Sequence, residues 1–158
     1  MGKIELDVHT HTIASGHSYS SMNEMVNEAK AKGLQLLGMV EHDVGIPGTC
    51  DPIYFKNYHV IPRVFNGLKI ILGIEVNILD YDGKLSISDD LYQCVDYCMA
   101  GIHFHCYKPG SIEQNTNAVI ETIKNPHISV IVHPDDGYCP LDYEKVVLAA
   151  KKYHTLLE

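Results

Sequence analysis

The sequence predicts an α/β fold built on a parallel sheet, either open or closed as a barrel. Short β-branched apolar runs alternate with amphipathic helical stretches along the chain. The runs in the middle of the sequence are apolar on both faces, as strands covered on each side must be. A histidine or glutamate also stands at the C-terminal end of every predicted strand, the rim on which parallel sheets and barrels build their sites.

The elements follow in order. Lys3–Val8 reads as the first strand. The stretch "MNEMVNEAKAKG" reads as a helix, with Ser21 as N-cap, Glu24 as its capping-box partner and Gly33 closing it. Leu34–Val40 is the second strand. Asp51-Pro52 opens a helical region that Pro62 must interrupt. Leu68–Val76 is an almost wholly apolar third strand, and "YDGK" marks the turn after it. Cys94–Ile102 is the fourth strand. "TNAVIETIKN" is a helix stopped by Pro126, and Ile128–His133 is the fifth strand. Leu141-Asp142 staples and caps a last helix through "EKVVLAAKKY". By this rhythm "HTLLE" begins a sixth strand, which leads to the expectation that the molecule ends part-way through a larger fold.

Composition narrows the function classes. A chain of 158 residues suits one domain, 1–158, with a substantial core. No apolar run approaches the roughly 18 residues of a membrane span and no leader is recognisable, so the cytoplasm is the expected compartment. The five cysteines, at irregular spacing, form no disulfide framework; Cys94 and Cys98 read as packed thiols in preference to metal ligands. A net charge of −8 argues against a nucleic-acid surface. An anionic substrate stays open, because bound divalent cations reverse the local field. The anomaly is ten histidines, against three phenylalanines and no tryptophan.

Their positions give them meaning. His9 and His11 follow the first strand, His42 the second, Glu75 the third, His103 the fourth and His133 the fifth. Strand residues i and i+2 point to one side, so His9 and His11 can converge on one cation. His17 arrives from the following loop to serve a neighbouring ion. Glu75 is an acid ending an apolar strand, costly to bury uncompensated, and its two oxygens can bridge two metals. Taken singly, His9 or His103 reads as an ordinary core or surface histidine; the joint pattern reads as a metal site. His59, His105, His127 and His154 fall outside it, His105 being the nearest to inclusion.

The segments "DVHTHTIASGHSYS", "VEHD", "IPRVFNGLKIILGIEVNI", "AGIHF", "NTNAVIETI" and "VHP" resemble the PHP (polymerase and histidinol phosphatase) domain, most closely its YcdX-type phosphatase branch. The resemblance implies a distorted TIM-like (β/α) barrel, here incomplete, with about five full strands and the start of a sixth. It also implies two to three divalent ions, zinc first and manganese or iron as alternatives. His9, His11 and Glu75 would hold one ion; Glu75, His103 and His133 a second; His17 and His42 the third. Two departures stand out. Asp43 follows Glu41-His42 where the family commonly has glycine, and the family's late Asp-x-His motif has no counterpart before Glu158.

The implied chemistry is hydrolysis of a phosphomonoester by a metal-activated hydroxide, with no side-chain nucleophile. Arg63 is the candidate phosphate clamp, against the plainer reading of an arginine covering a helix surface. Asp135 and Asp136 read as turn residues before ligand-orienting ones. The alternatives are an amidohydrolase-type metal hydrolase, suggested by "DVHTH", and a catalytically impaired metal-binding fragment that needs a partner chain. The expected partners are a small phosphorylated substrate and a second copy of the chain covering the open barrel edge, with neither nucleic acid nor membrane.

Overall fold

The computed structural model describes residues 4–158, so Lys3, where the first strand was predicted to begin, lies outside the described residues. Six strands form a parallel, curled half-barrel: β1 (Leu6–Thr10), β2 (Leu36–His42), β4 (Leu68–Asn77), β5 (Tyr97–Gly101), β6 (Ile128–Ile131) and β7 (Leu156–Leu157), adjacent in that order. Between β2 and β4 in sequence, the two-residue β3 (Val64–Phe65) pairs antiparallel with the start of β4. Its turn is Asn66-Gly67, both at positive φ (50° and 85°), the conformation an Asn-Gly hairpin favours. The sequence reading did not identify this hairpin.

Four helices join the strands: α1 (Met22–Ala31), α2 (Ile53–Lys56), α3 (Ile112–Ile123) and α4 (Tyr143–Tyr153). The Ser21–Glu24 capping box starts α1 as predicted, and Asp142 caps α4 through the amide of Lys145. Helix α3 begins earlier than its apolar core suggests. Ser111 and Gln114 form a second capping box, each side chain bonding to the other's backbone N–H. Among the described residues, no helix is long and apolar enough to cross a membrane.

Alternation along the strands divides the interior in two. Leu37 and Met39 of β2, Leu72, Ile74 and Val76 of β4, and Ala100 of β5 join Val26, Phe55, Val119, Ile123 and Val146 in the main core, between sheet and helices. The opposite residues line the inside of the half-barrel, where Val40, Met99, Val130 and Val132 pack with Val8 and Tyr97. Gly38 and Gly73 make this inner layer possible. A Cβ on either would stand 2.5 to 2.7 Å from the Tyr97 side chain, whose hydroxyl donates to the Val8 carbonyl at 2.6 Å. The tyrosine therefore fills the concavity below the sheet's C-terminal rim.

Candidate metal centre

At that rim Glu75 is fully buried and surrounded by imidazoles. Its Oε2 lies 3.2 Å from His9 Nε2, 3.1 Å from His11 Nε2 and 3.3 Å from His42 Nδ1. Its Oε1 lies 2.9 Å from His103 Nε2 and 3.0 Å from His133 Nε2. His17 completes the group, its ring centroid 5.2 Å from that of His11 and 4.8 Å from that of His42. Ligand-type atoms converge within 4.8 Å of one another in three overlapping triads: His9–His11–Glu75, His11–His17–His42 and His42–Glu75–His103. All seven residues that the sequence pattern singled out are thus in one cluster.

Local backbone features aim them. The β1–β2 pairing slips by one residue between Asp7 and Thr10, an irregularity of the kind that re-aims side chains beside sites. Val8 and His9 can then both face inward, and His11 follows His9 on the same side. His42 pairs in register with Glu75, and Glu75 with Met99. His133 follows Val132, which already faces the interior, so strict alternation would turn the ring away. Its backbone adopts φ 34°, a left-handed conformation uncommon outside glycine, and the ring meets Glu75.

The outward nitrogens of the first three histidines are engaged. His9 Nδ1 is 3.0 Å from Glu158 Oε1, His11 Nδ1 is 2.9 Å from Ser15 Oγ, and His17 Nδ1 is 3.2 Å from the Ser15 carbonyl. Such contacts fix ring orientation and tautomer, leaving Nε2 for the interior. By contrast, Nδ1 of His42 and Nδ1 of His103 are buried without a hydrogen-bond partner. A buried imidazole nitrogen that stands 3.3 Å from a carboxylate and makes no hydrogen bond to it suits a cation between them.

Electrostatics point the same way. Burial by itself opposes ionisation of Glu75, but hydrogen bonds from His103, His133 and His9, with the His11 ring close by, outweigh it and hold the carboxyl far below its usual range. Burial lowers the affinity of His9 for a proton, yet contact with Glu75 and Glu158 reverses this and raises its pKa to about 9. His133 is likewise raised, by Glu75 against the effect of burial. His42 moves to about 3, because burial and the neighbouring histidines outweigh the pull of Glu75. The cluster therefore calls for positive charge around one carboxylate while keeping one imidazole neutral. Mixed nitrogen and oxygen donors of this kind fit a divalent cation.

Arg63 is not in the cluster, which corrects its reading as a phosphate clamp. Its carbonyl accepts from Ile70 N at 2.9 Å, near the beginning of β4. Glu75 is five residues further on, about 16 Å along an extended strand. The guanidinium binds Asp96 Oδ2 at 2.6 Å and the carbonyls of Tyr58 and Ile61. His59, His127 and His154 are also elsewhere: His59 contacts the Lys56 carbonyl, His127 stacks on Tyr92, and His154 ends α4. His105 lies against Phe104. Asp136 accepts from the Tyr138 amide in a turn, and all five cysteines are unpaired.

Three residues beside the cluster were missed. Ser15 and Glu41 are fully buried next to His11 and His42, and Glu158 also accepts from the His133 amide at 3.0 Å. A signal existed for Glu158: an acid closes the apolar run "TLLE" just as Glu75 closes "ILGIE".

A PHP domain matches residues 7–156. The chain is 43% identical over 157 residues to a protein of Thermoanaerobacter sp. (strain X514) named "Probable phosphatase", covering 99% of this chain and 64% of that protein. It is 42% identical over 155 residues to a protein of the same description from Caldicellulosiruptor bescii, covering 98% of this chain and 65% of that one. It thus spans somewhat under two thirds of the length of these curated relatives. Among solved structures, it resembles the histidinol phosphate phosphatase of Lactococcus lactis subsp. lactis, complexed with zinc, L-histidinol and phosphate. That likeness has a TM-score of 0.67 at 19% identity and covers 97% of this chain and 72% of that one, which shows a shared fold. With the family match running through nearly the whole half-barrel, the chain belongs to the PHP domain family.

Proposed function

We propose that this chain carries the metal-binding portion of a divalent-metal-dependent phosphatase acting on small phosphomonoesters. One observation carries the reading: a buried carboxylate, Glu75, is ringed by the nitrogens of five histidines drawn from four other strand ends. His9, His11 and Glu75 would hold one cation, Glu75, His103 and His133 a second, and His17 with His42 a third. Zinc is the first ion to test, since donors of this mixture suit it and a protein of the same fold was solved with zinc bound. The bound cations would supply Lewis acidity, activating water and neutralising charge on the phosphoryl oxygens.

The protein's own part is positioning. Glu75, with hydrogen bonds on both oxygens, cannot swing, and its burial keeps the field at the rim undiluted by water. His42, neutral near physiological pH, adds a donor without adding repulsion. The phosphatase names of relatives at 42–43% identity support the reaction class.

The test is elemental analysis of the purified protein together with turnover of p-nitrophenyl phosphate. Metal near one or more ions per chain, with turnover lost on chelation and in Glu75→Ala, is the expected result. Protein that takes up no zinc, manganese or iron from a stoichiometric supply would refute the reading. Metal uptake with hydrolysis of amides in place of phosphate esters would refute the reaction class alone.

A further inference from the structure

Beneath the cluster, on the helix side of the sheet, lies a polar group that the proposed reaction does not use. Glu41, Ser15 and Thr12 are all buried, at 0%, 0% and 1% exposure. Glu41 Oε2 accepts from Ser15 Oγ at 2.6 Å and from the Thr12 amide at 3.2 Å, and Oε1 accepts from the Thr12 hydroxyl. Ser15 Oγ is also 3.1 Å from the His42 amide and 2.9 Å from His11 Nδ1.

Proton counting gives this arrangement a direction. The Thr12 hydroxyl accepts from the Ala14 amide, so its own proton is available to Glu41. The carboxylate then takes three donors, and a proton of its own would displace one of them. The Ser15 hydroxyl has one proton, which goes to Glu41. Its remaining capacity is two lone pairs. The His42 amide fills one, and a donor on His11 Nδ1 must fill the other.

We infer that Glu41, acting through Ser15, fixes His11 as the Nδ1–H tautomer and so turns a bare Nε2 toward Glu75. Glu41 and Ser15 are positioning residues: neither reaches the ring of donors, and they act only on the tautomer and orientation of a ligand. The same serine fastens the first-strand loop to the end of β2 by accepting from His42 N, so one hydroxyl registers two candidate ligands against each other. Replacing outer partners of this kind costs about 10- to 100-fold in metal affinity. The inference rests on the metal reading for its consequence and stands on hydrogen-bond geometry for its mechanism.

The two are separable by experiment. In metal-free protein labelled with nitrogen-15 at histidine, the His11 ring nitrogens report which of them carries the proton. Wild type is expected to show a protonated Nδ1. In Glu41→Leu the acceptor for Ser15 is removed, the hydroxyl proton turns to His11 Nδ1, and the signature inverts. In Ser15→Ala the acceptor for His11 is lost and the two tautomers mix, which keeps the inference testable if Glu41→Leu fails to fold. Zinc affinity, measured by chelator competition, should fall about 10- to 100-fold in both variants. Ser15→Thr, which keeps the hydroxyl, should retain the wild-type signature. A His11 that keeps Nδ1–H in both Glu41→Leu and Ser15→Ala overturns the inference, whatever zinc does. A wild type that shows the signature but binds no zinc leaves the relay standing and refutes the metal reading.

Discussion

Nε2 of His9 stands 3.2 Å from Nε2 of His11, two imidazole nitrogens from the same strand end facing one point. The other nitrogen of each ring is taken, by Glu158 and by Ser15. Glu75 Oε2 lies 3.2 and 3.1 Å from the same two atoms. Three lone-pair groups at such separations repel unless something positive lies among them. A proton meets that need in the metal-free protein and a cation meets it better, so the two compete for one position.

Cation binding is therefore expected to expel protons. In the metal-free fold the His9 pKa is raised from 6.5 to about 9, so the ring is charged near neutral pH and must discharge before it can ligate. Titrating zinc into metal-free protein near about pH 7.5, in buffers of different ionisation enthalpy, should give heats that reveal net proton release. Heats independent of the buffer would contradict the competition. The sign for stability follows from linkage. A pKa raised on folding stabilises fully below the unfolded value of 6.5, and this stabilisation disappears as pH rises through about 9. Urea midpoints of chelated protein should fall across that window.

Removing the central carboxylate is expected to be costly twice over. Glu75→Gln keeps the shape and deletes the charge that His103, His11, His133 and His9 share. Breaking one partner out of a buried ionic group costs about 3–5 kcal/mol, readable in urea unfolding of the metal-free protein. Metal content after desalting should fall toward zero, because a neutral amide cannot bridge cations. Retention of wild-type metal content would mean that Glu75 is a structural partner of the histidines and no more.

Gly101 sets the spacing of the fourth and fifth strand ends. A Cβ there would lie 2.8 Å from His133 Cε1 and 3.3 Å from His103 Cε1, so Gly101→Ala must push the two rings apart. Overpacking of this sort costs about 1–3 kcal/mol. Zinc affinity should drop in parallel. Gly67→Ala is the control: its Cβ meets nothing within 4 Å, so only backbone strain at φ 85° acts, and zinc binding should stay unchanged. Equal zinc affinity in both variants would show that the rings have room to spare.

These relationships were unequally legible in the sequence. Strand ends could be read because each apolar run finishes at a histidine or close to Glu75, and the parallel topology carries all those ends to one rim. His133 follows its strand as the sequence implies, although its φ of 34° departs from the extended backbone of a strand. The supporting residues were harder, since Ser15 looked like any turn serine and Glu41 sits on the opposite face of β2 from its neighbour His42. Their contacts depend on where the Thr12–Ser15 turn lands beneath β2, which no local pattern encodes. The apolar stretch of helix α3 shows in the sequence, while its first turn carries little apolar pattern and is marked only by the Ser111–Gln114 box. Arg63 is placed by topology. It precedes β4 in sequence, so in a parallel sheet it belongs at the rim where β4 begins, opposite Glu75.

That placement makes a final prediction for Arg63. Its guanidinium joins Asp96 to the carbonyls of Tyr58 and Ile61, while Asp96 also accepts from Leu72 N at 2.8 Å. The arginine thus ties the segment before β3 to the turn before β5. Arg63→Ala should lower unfolding free energy by about 1.5–3 kcal/mol, the range for hydrogen bonds to a charged group. Arg63→Lys should recover little of this, because one ammonium cannot reproduce a fork that spans three acceptors. Metal content, and KM for p-nitrophenyl phosphate where turnover is measurable, should match wild type in both variants. A phosphate clamp would behave in the opposite way, leaving stability nearly intact while raising KM. Observation of that second pattern would return Arg63 to the site and require β3 to move toward the opposite rim.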